Sequence, residues 1–325
     1  MRAVDLFSGC GGMSLGFGEA GFDVVAAFDN WDKAVEVYNA NFSHPCYLED
    51  LANVETVIPE IAKFDPDVII GGPPCQDFSS AGKRDTTLGR ADLTYKFAEI
   101  VERTKPAWFV MENVEQIKKS TILKNVADEL ARDYGLTMVI LNAASCGVPQ
   151  ARTRFFMIGE LGGTHNSLES VYRSSLTESL MTVRQYMGDE LDIDYYYRHP
   201  RNYNRRGVYS IDEPSATIRG VNRPVPKGYK INSCDPEGID LGSIRPLTSL
   251  ERARIQTFPA SFKWSGTKTN LEQMIGNAVP VNLAGFIARG ILKFKVEGTV
   301  RESLFDEVDY KIPSKVLKAN LSNAE

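Results

Sequence analysis

Short apolar runs alternate with helix-like stretches along the first 160 residues, and this alternation constrains the fold more than any other feature of the chain. A short apolar run between turn residues is typical of a buried strand, and a strand–helix repeat predicts a parallel sheet covered by helices. We therefore predict an α/β fold with a doubly wound, mostly parallel sheet. The predicted strands are 4–7, 23–28, 68–71, 108–111, 138–141 and 155–158, and the predicted helices are 13–20, 92–103 and 122–132.

The character of the sequence changes near Gly162. From there to about Gly242 the chain is polar and rich in Arg, Tyr, Asn, Ser, Pro and Gly. A regular pattern returns at Thr248, which forms a T-x-x-E capping box with Glu251 and opens a helix, and 282–295 is predicted as a last helix. The predicted domains are a catalytic domain (1–162 and 270–298), a smaller loop-rich domain (163–269) and a weakly patterned tail (299–325).

The composition excludes several classes of protein. With 43% hydrophobic and 24% charged residues the chain resembles an ordinary globular protein, and no apolar run approaches the roughly 18–20 residues of a membrane span. The five cysteines form no C-x-x-C pair and the first residues already read as a strand, so we expect reduced thiols, no signal peptide and a cytoplasmic protein. The three histidines lack metal-ligand spacing, which argues against zinc.

The charge is unevenly distributed. The net charge of −5 argues mildly against a nucleic-acid partner when it is considered alone. Between Arg198 and Lys230, however, eight Lys or Arg residues face only two acids, Asp212 and Glu213. Such a basic segment can contact phosphates while the rest of the protein stays acidic.

A glycine-rich turn joins the first predicted strand to the first predicted helix. Glycines let a backbone approach a ligand closely, and the N-terminus of the following helix offers free N–H groups. The spacing is not G-x-G-x-x-G, which argues against a nicotinamide cofactor. The alternative is a turn that serves only the fold. The turn consists of Phe7, Ser8, Gly9, Cys10, Gly11 and Gly12.

Polar residues follow the next strands. Asp29 and Asn30 end the second strand, where an acid in a doubly wound fold can bind ribose hydroxyls, and Trp31 can stack on adenine. Asp50, between the second strand and the run at 68–71, can accept from an adenine amino group. Trp31 can equally be a core residue, and Asp50 a helix cap.

Cys75 follows the run 67–72 and two prolines, in the order Pro73-Pro74-Cys75-Gln76. A cysteine is strongly nucleophilic even when only a few per cent of it is thiolate. A buried structural cysteine is the alternative, but the stiff prolines, the preceding glycines and the polar Gln76 favour a reactive thiol.

Charged residues flank two further strands. Glu112 ends an apolar strand, where a carboxylate is costly unless it has a partner or a function. Arg152 and Arg154 lie at i and i+2 before a strand, so we expect them on one face, where they can grip Glu112, a phosphate or a pyrimidine carbonyl. A simple cap and a surface charge pair are the respective alternatives.

Six motifs, in order, resemble those of the C5-cytosine DNA methyltransferases, and they span nearly the whole chain. One departure concerns the second strand, where many relatives carry Glu and this chain has Asp29-Asn30, so either residue can meet the ribose. The motifs are Asp5–Gly12, Gly72-Pro73-Pro74-Cys75-Gln76-Asp77-Phe78-Ser79, Glu112-Asn113-Val114, Gln150-Ala151-Arg152-Thr153-Arg154, Arg245 through Pro259, and Gly276-Asn277-Ala278-Val279-Pro280.

The resemblance implies a mechanism. The target cytosine leaves the duplex, Cys75 attacks its C6, protonated Glu112 bonds N3 and the amino group, and C5 takes a methyl group from S-adenosylmethionine. Arg152 is implied to hold O2 of the base, with Arg154 beside it in the catalytic set, and the segment 77–91 is expected to act as a lid. The resemblance also implies that 163–269 recognises the target.

The residues carried over from the resemblance fall into two sets. The implied cofactor-binding residues are Phe7, Ser8, Gly9, Cys10, Gly11, Gly12, Asp29, Asn30, Trp31, Asp50, Leu51, Pro73, Asn277 and Ala278. The implied DNA-binding residues are Ser79, Lys83, Arg84, Arg201, Arg205, Arg206, Thr217, Arg219, Asn222 and Arg223. The expected partners are duplex DNA and a cognate restriction endonuclease, and the expected state is a monomer.

Three other functions compete with this interpretation. A tRNA cytosine methyltransferase shares the scaffold, but that branch carries a Cys-Phe-Thr element where this chain has Gln256-Thr257-Phe258-Pro259. A catalytically silent DNA-binding or cofactor-sensing protein would not need Cys75, Glu112 and Arg152. A nicotinamide dehydrogenase conflicts with the glycine spacing and leaves Cys75 unexplained.

Overall fold

The computed structural model describes residues 1–74, 92–200 and 205–306. Within them, seven strands form one sheet in the order β3-β2-β1-β4-β5-β8-β6. Strand β8 pairs antiparallel with both of its neighbours, whereas the other pairings are parallel. The strands of this sheet are β1 (Arg2–Leu6), β2 (Asp23–Asp29), β3 (Cys46–Leu48), β4 (Val68–Gly71), β5 (Trp108–Val114), β6 (Tyr134–Asn142) and β8 (Thr153–Leu161).

The remaining described strands form two short pairs. Strand β9 (Tyr195–Tyr197) pairs antiparallel with β10 (Val208–Ser210), and β7 (Gln150–Ala151) pairs with β11 (Ser215–Ala216). The second pair connects the loop-rich block to the main sheet at the start of β8, because β7 leads directly into that strand.

Helices cover both faces of the sheet. In the order of the chain the described helices are α1 (Gly12–Glu19), α2 (Asp32–Asn39), α3 (Val54–Ala62), α4 (Asp92–Thr104), α5 (Thr121–Leu130), α6 (Glu169–Ser175), α7 (Val183–Met187), α8 (Ser249–Ile255), α9 (Lys268–Asn277) and α10 (Val281–Asp306), with 3₁₀ turns at Glu115–Lys119, Ala143–Cys146 and Gly188–Glu190.

The sheet is buried on both faces, as a doubly wound fold requires. Alternate residues of the strands point to opposite sides, so Ile70 packs with α1 and α10, whereas Ile69 packs with α3, α4 and α5. A third cluster joins α8 and α9 to the loop-rich block, and it includes Ile218 and Phe258. The predicted sheet is therefore confirmed. The third cluster also contains Cys10 and Val37, so it is shared between the loop-rich block and the first helices of the chain.

Several predicted elements differ at their ends. The capping box at Thr248 is confirmed, because its hydroxyl accepts from the Glu251 N–H while the Glu251 carboxylate accepts from the Thr248 N–H. Helix α10 runs on to Asp306, well past the predicted end at 295.

The stretch Lys268–Glu297 is long and apolar enough to cross a membrane, but 72% of its most apolar window is buried within the protein, as in a core helix.

Strand order explains where ligands can bind. From β1 the chain first adds strands on one side (β2, β3) and then on the other (β4, β5). The connections after β1 and β4 therefore lead away from each other, which creates a crevice beyond the carboxyl ends of these two parallel strands. The glycine-rich turn follows β1 and Gly72 follows β4, so both predicted motifs border this crevice. Because β8 is antiparallel, its first residues reach the same edge as the last residues of β5.

Candidate active site

Glu112 and Arg154 form a nearly buried ion pair at this edge. In the antiparallel register Arg154 lies opposite Val114, two residues beyond Glu112, so the two side chains share one face of the sheet. The Arg154 Nε lies 2.8 Å from Oε1 of Glu112, and the side chains are 14% and 12% exposed.

Burial raises the pKa of Glu112, although the charges of Arg154 and Arg152 and the hydrogen bond from Arg154 act in the opposite direction. A carboxyl group held in this way can take and give a proton closer to neutral pH than an exposed one. The pKa of Glu112 is therefore shifted in the direction that a proton donor would require.

The loop that leads to Cys75 is fixed beside this pair. A Cβ added at Gly72 would lie 3.0 Å from Oε2 of Glu112, so the bare glycine backbone allows the close approach. The Asn113 side chain, 3% exposed, donates from Nδ2 to the carbonyl oxygen of Pro73 at 3.1 Å. Cys75 itself lies outside the described residues, and the segment that contains it starts from an anchored backbone.

Asn113 belongs to a predicted motif, but the sequence assigned it no role. It is a polar residue between apolar neighbours on a buried strand, and such a residue must find a partner. That requirement alone marks it as an anchoring residue.

Arg152 occupies a different environment from Arg154. It is 1% exposed, and its Nη1 and Nη2 atoms donate to the carbonyl oxygens of Ile218 and Gly276 at 3.0 and 3.1 Å. Arg152 lies between β7 and β8, and its charge helps to lower the pKa of Glu112. The expectation that the two arginines share one face stays a prediction. Arg154 is the arginine that contacts Glu112.

The glycine-rich turn has the backbone that a ligand cradle needs. Gly9 and Gly11 adopt φ angles of 55° and 93°, and Phe7 also has a positive φ of 55°. A Cβ added at Gly9 would meet no described atom within 4 Å, so open space lies beside this residue. Ser8 and Cys10 are buried, and burial raises the pKa of the Cys10 thiol to about 12, which makes it an inert packing residue.

Asp29 closes the turn from the neighbouring strand. Its Oδ2 accepts the N–H of Gly9 at 2.8 Å, and its Oδ1 accepts the N–H of Trp31 at 2.8 Å. Both carboxylate oxygens therefore hold the protein's own backbone. Asn30 is exposed and Trp31 is half-buried beside the crevice.

The remaining predicted cofactor residues divide between surface and core. Asp50 is exposed and its Oδ1 accepts the N–H of Ala52 at 3.0 Å within a turn. Its alternative role as a helix cap is wrong, because helix α3 begins at Val54 and its N-cap is Asn53. Leu51 is 2% exposed and packs in the core. Pro73 is buried.

The late motif (276–280) returns to the glycine-rich turn. A Cβ added at Gly12 would lie 2.2 Å from the carbonyl oxygen of Val279, so these two motifs pack backbone to backbone. Asn277 is exposed and Ala278 is half-buried at the same place. Two motifs more than 250 residues apart in the chain thus lie side by side.

The predicted recognition segment (217–223) is held by internal contacts. Thr217 donates to the carbonyl oxygen of Ala151 at 2.9 Å, and Asn222 Nδ2 donates to that of Leu247 at 2.7 Å and to Glu272 at 3.2 Å. Arg219 donates to the carbonyl oxygen of His199. These three side chains position the segment in the structure.

The other predicted DNA contacts differ in accessibility. Arg206 pairs with Glu213 and lies 4.2 Å from the centre of the Tyr209 ring. Arg205 and Arg223 are exposed. Ser79, Lys83, Arg84 and Arg201 lie outside the described residues.

Sequence reasoning missed Gln256, which is fully buried at the end of α8. Its amide bonds Gln150 and two backbone carbonyls of the region around the late motif. The only signal in the sequence is a polar residue next to the apolar Ile255 on a short helix, and such a residue is usually assigned to the surface.

Comparison with known proteins adds independent evidence. The family described as C-5 cytosine-specific DNA methylase matches residues 1–293. The Type II methyltransferase M.HindV of Haemophilus influenzae is 63% identical over 298 residues, which cover 91% of this chain and 98% of the relative. The Type II methyltransferase M.HgiDI of Herpetosiphon aurantiacus is 53% identical over 292 residues, which cover 90% and 94%.

Solved structures share the fold. The S. pombe Dnmt2 methyltransferase matches with a TM-score of 0.68 at 19% identity, over 90% of this chain and 98% of that one. The Entamoeba histolytica methyltransferase EhMeth matches with a TM-score of 0.64 at 17% identity, over 92% and 98%. At these identities the likeness concerns the fold.

Proposed function

The chain belongs to the C-5 cytosine-specific DNA methylase family, and on this premise we propose that it methylates C5 of a cytosine flipped out of a specific duplex DNA sequence, through a covalent bond between Cys75 and C6. It is a DNA (cytosine-5)-methyltransferase, with the fold of methyltransferases that use S-adenosylmethionine. The ion pair of Glu112 and Arg154 beside the anchored start of the Cys75 segment is the observation that supports the finer mechanism best.

Glu112 and Arg154 contact different atoms of the cytosine base. When the Cys75 thiolate bonds to C6, electron density moves from the C5–C6 double bond into the ring and onto N3. Glu112, in its acid form, donates to N3 and accepts from the amino group, which neutralises this charge. We assign the contact with O2 to Arg154, because it pairs directly with Glu112, whereas both terminal nitrogens of Arg152 hold backbone carbonyls.

The reaction ends when a base removes the proton from C5, the C5–C6 double bond re-forms and the thiolate of Cys75 leaves. A water molecule near the site can accept this proton. Glu112 recovers its proton from N3 in this step, so the complete cycle returns both Glu112 and Cys75 to their starting states.

S-adenosylmethionine supplies an electrophilic methyl group on a sulfonium sulfur. The residues present fit it, since the open space at Gly9 and the positive φ angles of the turn leave room for a close backbone approach. We propose that Asn30 meets the ribose hydroxyls, because both carboxylate oxygens of Asp29 accept backbone N–H groups. Trp31 is half-buried at the position where it can stack on the adenine.

Further assignments follow from the family. We propose that the region 163–269 recognises the target and that the protein works as a monomer in the bacterial cytoplasm. We also propose a restriction endonuclease that cuts the same site, since the two relatives are named Type II methyltransferases.

A covalent trap tests the mechanism. A library of randomised duplexes made with 5-fluorocytosine should form a complex that survives denaturing electrophoresis when S-adenosylmethionine is present, because fluorine cannot leave C5 as a proton does. Sequencing the trapped duplexes would give the recognition site. Cys75→Ser is the control and should give no complex.

The same trap separates the alternatives. A transcribed tRNA pool carrying 5-fluorocytosine should stay unbound, and trapping of tRNA in place of duplex DNA would favour the tRNA methyltransferase. Methyl transfer that persists in Cys75→Ser would overturn the covalent mechanism.

A further inference from the structure

A chain of buried hydrogen bonds connects the recognition segment to the late motif. The N–H of Ile218 donates to Gln150 Oε1 at 2.8 Å, and Gln150 Nε2 donates to Gln256 Oε1 at 2.7 Å. Gln256 Nε2 then donates to the carbonyl oxygens of Ile275 and Ala278, the latter at 3.1 Å. Both glutamine side chains are fully buried.

The direction of this chain is fixed by its ends. A backbone N–H can only donate, so Gln150 must turn its oxygen towards Ile218. Backbone carbonyls can only accept, so Gln256 must turn its nitrogen towards Ile275 and Ala278. The contact that remains, from Gln150 Nε2 to Gln256 Oε1, is then a donor facing an acceptor. Neither amide can rotate without losing bonds at both of its ends.

A second connection runs beside the first. Arg152 links the carbonyl oxygens of Ile218 and Gly276, which belong to the same two segments. A Cβ added at Gly276 would lie 2.2 Å from the nitrogen of Gly220, so the two backbones touch. The late motif in turn packs against Gly12. The late motif therefore contacts both the recognition segment and the glycine-rich turn.

We propose that Gln150 and Gln256 are positioning residues that lock the recognition segment to the late motif, so that DNA and the methyl donor strengthen each other's binding. The inference rests on the proposed function, because it takes 217–223 as a DNA-binding segment and 276–280 as part of the cofactor site. Neither glutamine needs to touch either ligand.

The physical reason is the cost of moving a fully satisfied buried network. If the late motif shifts when the cofactor binds, Gln256 and Gln150 transmit the shift to Ile218, because breaking any one bond leaves a buried polar group unpaired. Such coupling is reciprocal, so the factor by which cofactor tightens DNA binding equals the factor by which DNA tightens cofactor binding.

Binding without turnover measures this coupling. Fluorescence anisotropy gives the Kd of a duplex carrying the trapped site, with and without saturating S-adenosylhomocysteine. We expect the cofactor product to tighten DNA binding to the wild-type protein by roughly 5–150-fold, as is usual for coupled sites. In Gln256→Met, which keeps the length and removes the amide, this factor should fall at least about fivefold.

A double-mutant cycle separates coupling from local damage. Gln150→Met lies far along the chain from the late motif, yet it should lower the factor as much as Gln256→Met, and the double variant should be no worse than either one. Gln116→Met, on an exposed 3₁₀ turn, is the matched control and should keep the wild-type factor. Thermal unfolding of each variant verifies that it is folded.

Three results would overturn the inference: a wild-type protein whose DNA affinity ignores the cofactor product, single variants with an unchanged factor, or effects that simply add in the double variant. Failure of the proposed function would look different, because the wild-type protein would then transfer no methyl group to any duplex in the library.

Discussion

The carboxyl edge of the sheet and the loop-rich block use charged and polar side chains in opposite ways. At the edge, Glu112 and Arg154 are nearly buried and face each other, and burial raises the pKa of Glu112. In the loop-rich block, Arg206 and Asn222 look available in the sequence but hold other parts of the protein in the structure. We propose that the buried pair at the edge serves the reaction, whereas the polar side chains of the loop-rich block first hold its loops in place.

The difference has a structural origin. Main-chain bonds between β5 and β8 hold the backbone that carries Glu112 and Arg154. The loop-rich block has only short strand pairs within the described residues, so its backbone groups need side-chain partners. We therefore expect substitutions at the edge to change the reaction or its pH dependence, and substitutions in the block to change stability first.

Glu112→Gln should produce the largest effect. Glutamine keeps the shape of the side chain but cannot give a proton to N3, so the single-turnover rate of methyl transfer should fall roughly 10²–10⁴-fold. DNA affinity, measured by anisotropy, should stay within about twofold, because the change affects the reaction and leaves the recognition segment intact. A rate within tenfold of wild type would remove Glu112 from its assigned role.

Asp5 offers a test of buried charge beneath the glycine-rich turn. Its Oδ2 accepts the hydroxyl and the N–H of Ser14 at 2.6 and 3.1 Å, and its Oδ1 has no partner among the described residues. Desolvation by burial, with a smaller contribution from the charge of Asp29, raises its pKa from 3.8 to about 7, although the bonds from Ser14 lower it. Folded protein therefore binds this proton more tightly than unfolded protein.

The sign of the pH effect follows from this difference in pKa. Between pH 4 and 7 the folded state holds a proton that the unfolded state releases, so the free energy of unfolding falls as the pH rises through this range. The decrease should be roughly 2–3 kcal/mol between pH 5 and 8. Asp5→Asn has no titrating carboxyl at this position. The free energy of unfolding of the variant minus that of wild type, measured in urea, should therefore rise by that amount as the pH is raised from 5 to 8. A constant difference would contradict the raised pKa.

The sequence predicted the sheet well because its signals are local. Residues 68–71 are a strand in both the prediction and the structure, and the strand predicted at 108–111 was visible from its apolar run, although β5 continues through Glu112 to Val114. Helices α2 and α3 were not predicted. They are short, and α3 contains Pro59.

The contact between Glu112 and Arg154 could not be predicted from spacing. It depends on β8 running antiparallel to β5 and on the interruption that separates Arg152 from β8. Neither property leaves a trace in local periodicity. The partners of Asn222 and Gln256 depend on contacts between residues far apart in the chain, which a single sequence does not specify.

Asn222→Ala should have a moderate effect on stability and none on the choice of site. The variant loses the bonds to the carbonyl oxygen of Leu247 and to Glu272, so the free energy of unfolding should fall by about 1–3 kcal/mol. Sequencing of methylated sites in a randomised library should return the wild-type recognition sequence. An altered sequence with unchanged stability would place Asn222 on the bases, as the resemblance originally implied.

Arg223→Gln should have the smallest effect, and it gives the converse test of the comparison. Arg223 is exposed in the same segment, so its removal should leave the thermal midpoint unchanged. If it contacts a phosphate, the slope of log K against log salt concentration should decrease in magnitude by about 0.9, with an affinity loss of roughly tenfold or less. Arg206→Gln is the contrasting variant, because it removes the pair with Glu213 and should lower the thermal midpoint. An unchanged salt slope in Arg223→Gln would mean that this arginine, too, does not contact DNA, and the phosphate contacts would then have to lie elsewhere in the basic segment.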